Sequence, residues 1–121
     1  MDKKKTLVIG ASENPERYSN LAVKKLTAHQ HPVVAIGLTK GSIGNTVIES
    51  QQIPFTDVDT VTLYINPSTQ PVYYDYIFSL HPKRIIFNPC TENEEFAKQA
   101  KQKGIITLEA CTLVLLSTGQ Y

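Results

Sequence analysis

The densest grouping of residues that could do chemistry is Gly10-Ala11-Ser12-Glu13-Asn14-Pro15-Glu16-Arg17-Tyr18-Ser19. Three shorter segments share its character: Gly37-Leu38-Thr39-Lys40-Gly41, Asn66-Pro67-Ser68 and Asn88-Pro89-Cys90-Thr91. All are rich in small residues, hydroxyls and amides. Such residues let backbone N–H groups come close to an anion, and a helix N-terminus adds favourable partial charge. The chemistry suggested is the holding of a phosphate. Lys40 is the one cation after the second apolar run, and suits a sugar phosphate better than a free diol; a solvated loop charge is the plainer alternative. The candidate ligand contacts are therefore Gly10, Ala11, Ser12, Asn14, Pro15, Arg17, Tyr18, Ser19, Gly37, Leu38, Lys40, Gly41, Asn66, Pro67, Asn88 and Pro89.

Each segment follows a run that reads as a strand. Thr6–Ile9 is β-branched and apolar without interruption, as in a strand buried on both faces of a parallel sheet. Gly10 ends it, and Asn20 to about Ala28 is predicted as a helix with Ala22, Val23 and Leu26 inward. His31-Pro32 breaks that helix, and Val33–Gly37 is the second strand. Thr39–Ser42 and Gly44-Asn45 read as loop, with Val47-Ile48 a very short strand at most. Val61–Ile65 is a strand. Ser68 is the expected cap of a helix whose face is Tyr73, Tyr76, Ile77 and Leu80.

Arg84–Phe87 is the next strand. Thr91-Glu92-Asn93-Glu94 matches a capping box. The helix after it runs from acids (Glu92, Glu94, Glu95) to bases (Lys98, Lys101, Lys103), which suits the helix dipole, and Gly104 is its stop. Ile105–Leu108 is the last strand, and Cys111–Ser117 a short helix ended by Gly119. The alternation predicts one domain over residues 1–121: a three-layer, Rossmann-like, doubly wound parallel sheet of about five strands, the first of them central. In such sheets a ligand lies outside the carboxyl ends of the strands.

Composition narrows the function classes. Of 121 residues, 41% are hydrophobic and 19% charged, with a net charge of +1. That is an ordinary globular balance, with no global field to attract nucleic acid or a membrane. The expected partner is a small molecule; a protein client is left undefined. No apolar run approaches a membrane span, and the expected compartment is cytoplasmic with reduced thiols. Cys90 and Cys111 make no disulfide framework. Cys90, just before the expected helix start, is either an inert small residue or a thiol activated by the helix end, able to form a mixed disulfide with a thiol ligand. His29, His31 and His81 read as solvated turn histidines, and no metal spacing occurs.

The first loop is not a G-x-G-x-x-G fingerprint, because Ser12 and Pro15 stand where the second and third glycines would be. Instead, Gly10, Ala11, Ser12, Asn14, Pro15, Arg17 and Ser19 resemble the small CoA-binding domain family, relatives of the nucleotide-fold domain of the succinyl-CoA synthetase α subunit. The similarity continues through Asn93-Glu94-Glu95 and Glu109-Ala110-Cys111. This chain departs from it at Gly37-Leu38, where members often carry Asn-Pro. The resemblance implies coenzyme A, or a related adenine nucleotide, held by the first two loops, and implies no reaction. Two alternatives stand beside this non-catalytic reading. One is an NAD(P)-linked enzyme, with Tyr18 as its weak acid–base candidate. The other is a protein-interaction module that has lost its ligand, with Leu113–Leu116 and Tyr121 as interface.

Overall fold

A computed structural model describes residues 3–121. Strands β1 (Thr6–Ile9), β2 (Val33–Ile36), β3 (Gly41–Ile43), β4 (Thr46–Glu49), β5 (Thr60–Leu63), β6 (Arg84–Phe87) and β7 (Ile106–Glu109) form one sheet in the order β3-β4-β2-β1-β5-β6-β7. All neighbours pair in parallel except β3 with β4. The α/β, Rossmann-like architecture and the central β1 are as expected. The strand number is not: the sheet has seven strands, where about five were predicted.

The difference lies in residues 41–49. Three residues containing Gly and Ser have little intrinsic strand preference. Yet Ile43 pairs with Thr46, leaving Gly44-Asn45 as a two-residue hairpin turn. Gly44 has φ 57°, the sign that a type II′ turn needs at its first position. Ile43 and Ile48 are then buried on one face against Val8, Val23 and Leu116.

Helices cover both faces. Helix α1 (Tyr18–Ala28) and helix α4 (Thr112–Ser117) lie on the face of Val8, with Val23, Leu26 and Leu116 buried there. Helices α2 (Tyr74–Ser79) and α3 (Glu94–Gln102) lie on the face of Leu7 and Ile9. Phe96 of α3 is the hub of that second layer, fully buried and in ring contact with Tyr74, Phe78 and Phe87. The acid-to-base gradient of α3 is kept, but its cap is not Thr91. Asn93 caps it, its side chain accepting the Phe96 N–H at 3.1 Å. Thr91 is buried and bonds back to the Asn88 carbonyl instead. Ser68 caps no helix: Thr69 is the N-cap of the 3-10 turn (Gln70–Tyr73) before α2 and makes no side-chain capping bond, while Asn66 Oδ1 holds the preceding turn by accepting the Thr69 N–H and the Ser68 and Thr69 hydroxyls.

The amino edge of the sheet is closed by Tyr121. Its hydroxyl bonds with Thr6, and the Arg84 guanidinium lies 4.3 Å from its ring centre. His31 packs on the same ring at 4.9 Å, and its Nδ1 accepts the Lys4 N–H at 2.9 Å. His31 is thus a structural acceptor rather than a solvated turn residue. Burial, reinforced by Lys3, Lys4, His29 and Arg84, holds its pKa below the ordinary 6.5. The unfolded chain then takes up this proton more readily than the folded one. The stabilisation is complete above pH 6.5 and is lost as pH falls through the lower folded value. The melting temperature should therefore fall as pH drops below 6.5. His31→Asn, which offers an acceptor but cannot titrate, should remove that part of the fall. A thermal-shift profile unchanged in the variant would show that His31 is not the group responsible.

Candidate functional site

The parallel pairing brings the segments after β1, β2, β5 and β6 to one edge of the sheet. Two glycines make the assembly possible. The Ile36 carbonyl accepts both the Gly10 and Ala11 N–H groups, at 2.9 and 3.0 Å. A Cβ on Gly37 would lie 2.2 Å from the Ala11 carbonyl oxygen, and one on Gly10 would lie 2.7 Å from that of Tyr64. Backbone meets backbone at both places, so no side chain can yield to make room.

From there the first loop is built by its own polar groups. Ser12 Oγ accepts the Asn14 N–H, and Asn14 Oδ1 accepts the Glu16 N–H. Pro15 fixes the backbone between them. The Arg17 N–H returns to the Asn14 carbonyl, and Arg17 becomes the N-cap of α1. Its side chain makes no capping bond. The first N–H groups of α1, at Tyr18 and Ser19, therefore have no side-chain cap and lie at the positive end of the helix dipole. Ser19 is buried, while Arg17 and Tyr18 are exposed. The helix begins two residues before the expected Asn20. Asn20 itself is buried; its Nδ2 donates to the Ser12 carbonyl and its Oδ1 has no partner.

Two carboxylates from other elements lie beside the second loop. Glu13 reaches across from the first loop and accepts the Ser42 N–H at 2.9 Å. Its carboxyl lies where a side chain at Gly41 would be. Glu49, at the carboxyl end of β4, is 3.9 Å from Lys40 Nζ. Lys40 remains largely exposed, and Leu38 is 94% exposed beside it.

The β5 and β6 exits behave differently. Asn88 is buried, its Nδ2 donating to Thr62 Oγ1 and the Leu63 carbonyl and its Oδ1 accepting the Thr112 N–H. The Thr62 and Thr112 hydroxyls bond to each other. Asn88 thus joins β5, β6 and the start of α4, and its amide donors are both spent. Gln70, which sequence reasoning passed over, is another such strut: fully buried, it bonds to the Ile65 and Thr91 carbonyls and to Asn93. Asn66, Pro67 and Pro89 are exposed.

Two further expectations change. Helix α3 starts at Glu94, beyond an Asn93 cap, so exposed Cys90 does not sit at a helix end. The physical basis for an activated thiol there is gone. The tail offered as an interface packs instead: Leu116 is buried and Tyr121 covers the amino edge, leaving Val114 outward. Tyr64, between Thr62 and Cys111, has a buried hydroxyl without a partner, and burial raises its pKa far above the ordinary range. It remains a neutral phenol.

A scan against protein families matches the CoA binding domain family over residues 4–117. The chain belongs to the CoA-binding domain family. Among solved structures, a crystal structure of an uncharacterized protein is 45% identical over the full length of both chains, with a TM-score of 0.97. A hypothetical protein from Pyrococcus horikoshii OT3 is 24% identical, with a TM-score of 0.86 over 96% of this chain and 83% of that one. A Thermus thermophilus protein at 17% identity gives 0.82 over 98% and 91%; these last two likenesses are of fold. No curated protein matches the chain. In this chain the β6 exit serves as scaffold, because Asn88 ties β5, β6 and the start of α4 together. Asn88→Ala should accordingly destabilise the protein by about 2–4 kcal/mol, because it strands several buried partners. Urea unfolding measures this, and a loss under 1 kcal/mol would mean that the strut is dispensable.

Proposed function

We propose that this CoA-binding domain protein binds coenzyme A, without catalysis, across the exits of β1 and β2. The carrying observation is the start of α1: an eleven-residue helix whose first N–H groups no side chain caps, opposite a loop that holds itself in place. Phosphate oxygens suit those groups, and no base or nucleophile is needed to hold them. Ala11, Ser12 and Ser19 would line the pyrophosphate, with Arg17 as a mobile cation. Leu38 offers an exposed apolar surface for a flat ring. Lys40 is the cation for a ribose phosphate, with Gly41 beside it. Asn66, Pro67 and Pro89 stand at the far side of the edge, for the remainder of the ligand. The Tyr64 phenol and the exposed Tyr18 do not make an acid–base pair, which supports a binding role. The two free cysteines support a cytoplasmic setting.

One observation favours a second reading. Glu49 beside Lys40 is an acceptor near the ribose end, and an acid there suits the free diol of NAD or dephospho-CoA. The two readings separate cleanly. For coenzyme A as ligand, its affinity should exceed that of dephospho-CoA by about tenfold, roughly 1.4 kcal/mol. Lys40→Ala should remove most of that margin and leave dephospho-CoA unchanged. Calorimetry on the two ligands and two proteins completes the cycle; equal affinities in the parent, or tighter binding of NAD, would favour the diol reading. Ser12→Leu should abolish binding of either CoA form while leaving the melting temperature of the ligand-free protein within a few degrees of the parent. Undiminished binding by that variant would move the site away from the first loop.

A further inference from the structure

β7 is the last strand of the sheet on its side, and its outer edge is open. The Ile106 and Ala110 N–H groups bond inward to the carbonyls of Lys83 and Phe87. Bonding alternates along a parallel ladder, so Thr107 and Glu109 direct their N–H and C=O groups outward. Exposed edges are usually blunted by lysine, proline or a bulge. β7, Ile-Thr-Leu-Glu, has neither lysine nor proline, and its Ile106 is 60% exposed. Alongside it runs a groove of about 690 Å³, shared by Thr107 and Glu109 with Glu94, Lys98 and Lys101 of α3. Because α3 returns the chain from the carboxyl end of β6 to the amino end of β7, its acidic start lies by Glu109 and its basic end by Ile106.

We propose that β7 pairs antiparallel with β7 of a second copy of this chain, about a two-fold axis perpendicular to the sheet and centred on Leu108. That register sets each Thr107 opposite Glu109 of the other copy as reciprocal hydrogen-bonded pairs, and Ile106 opposite Ala110. An axis perpendicular to the sheet keeps both α3 helices on the same face, running in opposite directions. Glu94 and Glu109 of one copy then approach Lys98 and Lys101 of the other, twice over, as an isologous interface requires. A parallel pairing would set acid beside acid and base beside base. The charge pattern of the groove is self-complementary in the antiparallel orientation, and it singles out a second copy as the occupant.

Sedimentation velocity on the full chain, free of ligand, tests this over a wide concentration range. A species of twice the monomer mass should grow in as concentration rises. Thr107→Pro removes only an outward N–H, which an edge strand tolerates, and should abolish that species while circular dichroism and melting temperature stay those of the parent. Should Thr107→Pro fail to fold, Ile106→Lys at an exposed position should weaken association severalfold. Lys101→Glu and Glu109→Lys should each weaken it too, and the double variant should recover it. A monomer at every concentration overturns the proposal. So does a dimer that survives in folded Thr107→Pro, one that keeps its parental affinity in Ile106→Lys, or a double variant no better than the singles.

Discussion

The Ile36 carbonyl, holding the N–H groups of both Gly10 and Ala11, is the contact on which the candidate site depends. It fixes where the chain leaves β1 relative to where it leaves β2. It can do so only because Gly37 has no side chain to collide with the Ala11 carbonyl. Everything after it is positioned by that junction: the Ser12 and Asn14 turns, the start of α1, and the reach of Glu13 across to β3. A methyl group at Gly37 would have to push backbone against backbone, and the displacement would be carried into the whole first loop.

That rigidity has an electrostatic consequence. An anion arriving at the β2 exit meets two of the chain's own carboxylates. Glu13 already uses the Ser42 N–H, and Glu49 already stands beside Lys40. Both are surface interactions in high dielectric, so each is weak and can be exchanged for a phosphate oxygen at small cost. The start of α1 meets no such competitor from a capping side chain. The two ends of the edge therefore differ in kind: one is an open dipole terminus, the other a preoccupied cradle. Under the proposed reading a ligand would be anchored at the first and discriminated at the second.

Most of the scaffold was legible because buried parallel strands write themselves as uninterrupted apolar runs. β1 and β6 have the predicted bounds, and β2, β5, β7 and α4 differ by a residue or two. The β3–β4 hairpin was not legible from propensity, since Gly41 and Ser42 are poor strand residues; the Gly44-Asn45 pair was the available sign. The expected hydroxyl caps at Ser68 and Thr91 are absent for different reasons. Before α3 the Asn93 amide oxygen supplies the cap two residues beyond Thr91, whereas Ser68 is spent in a turn held by Asn66, and the 3-10 turn before α2 starts without a side-chain cap. The carboxylates near Lys40 were missed because they arrive from other elements. No window along residues 33–48 contains them, and only the β2–β4 pairing brings Glu49 to the end of β2.

The polar side chains of the carboxyl edge serve chiefly to build the edge itself. Ser12, Asn14, Asn66, Asn88 and Gln70 all accept or donate within the protein, holding turns or tying strands to helices. What they leave uncapped is backbone: the N–H groups at the start of α1. A site made chiefly of backbone groups reads shape and charge, and it offers few side chains to move protons or attack a substrate. Its composition follows from this. Glycine is needed where chains nearly touch, proline and asparagine where a turn must be fixed, and serine where a larger residue would fill the cradle. The same residue types that carry the family likeness are those that would present backbone N–H groups to an anion under the proposed reading. The likeness and the physical reading of the loop thus rest on one cause.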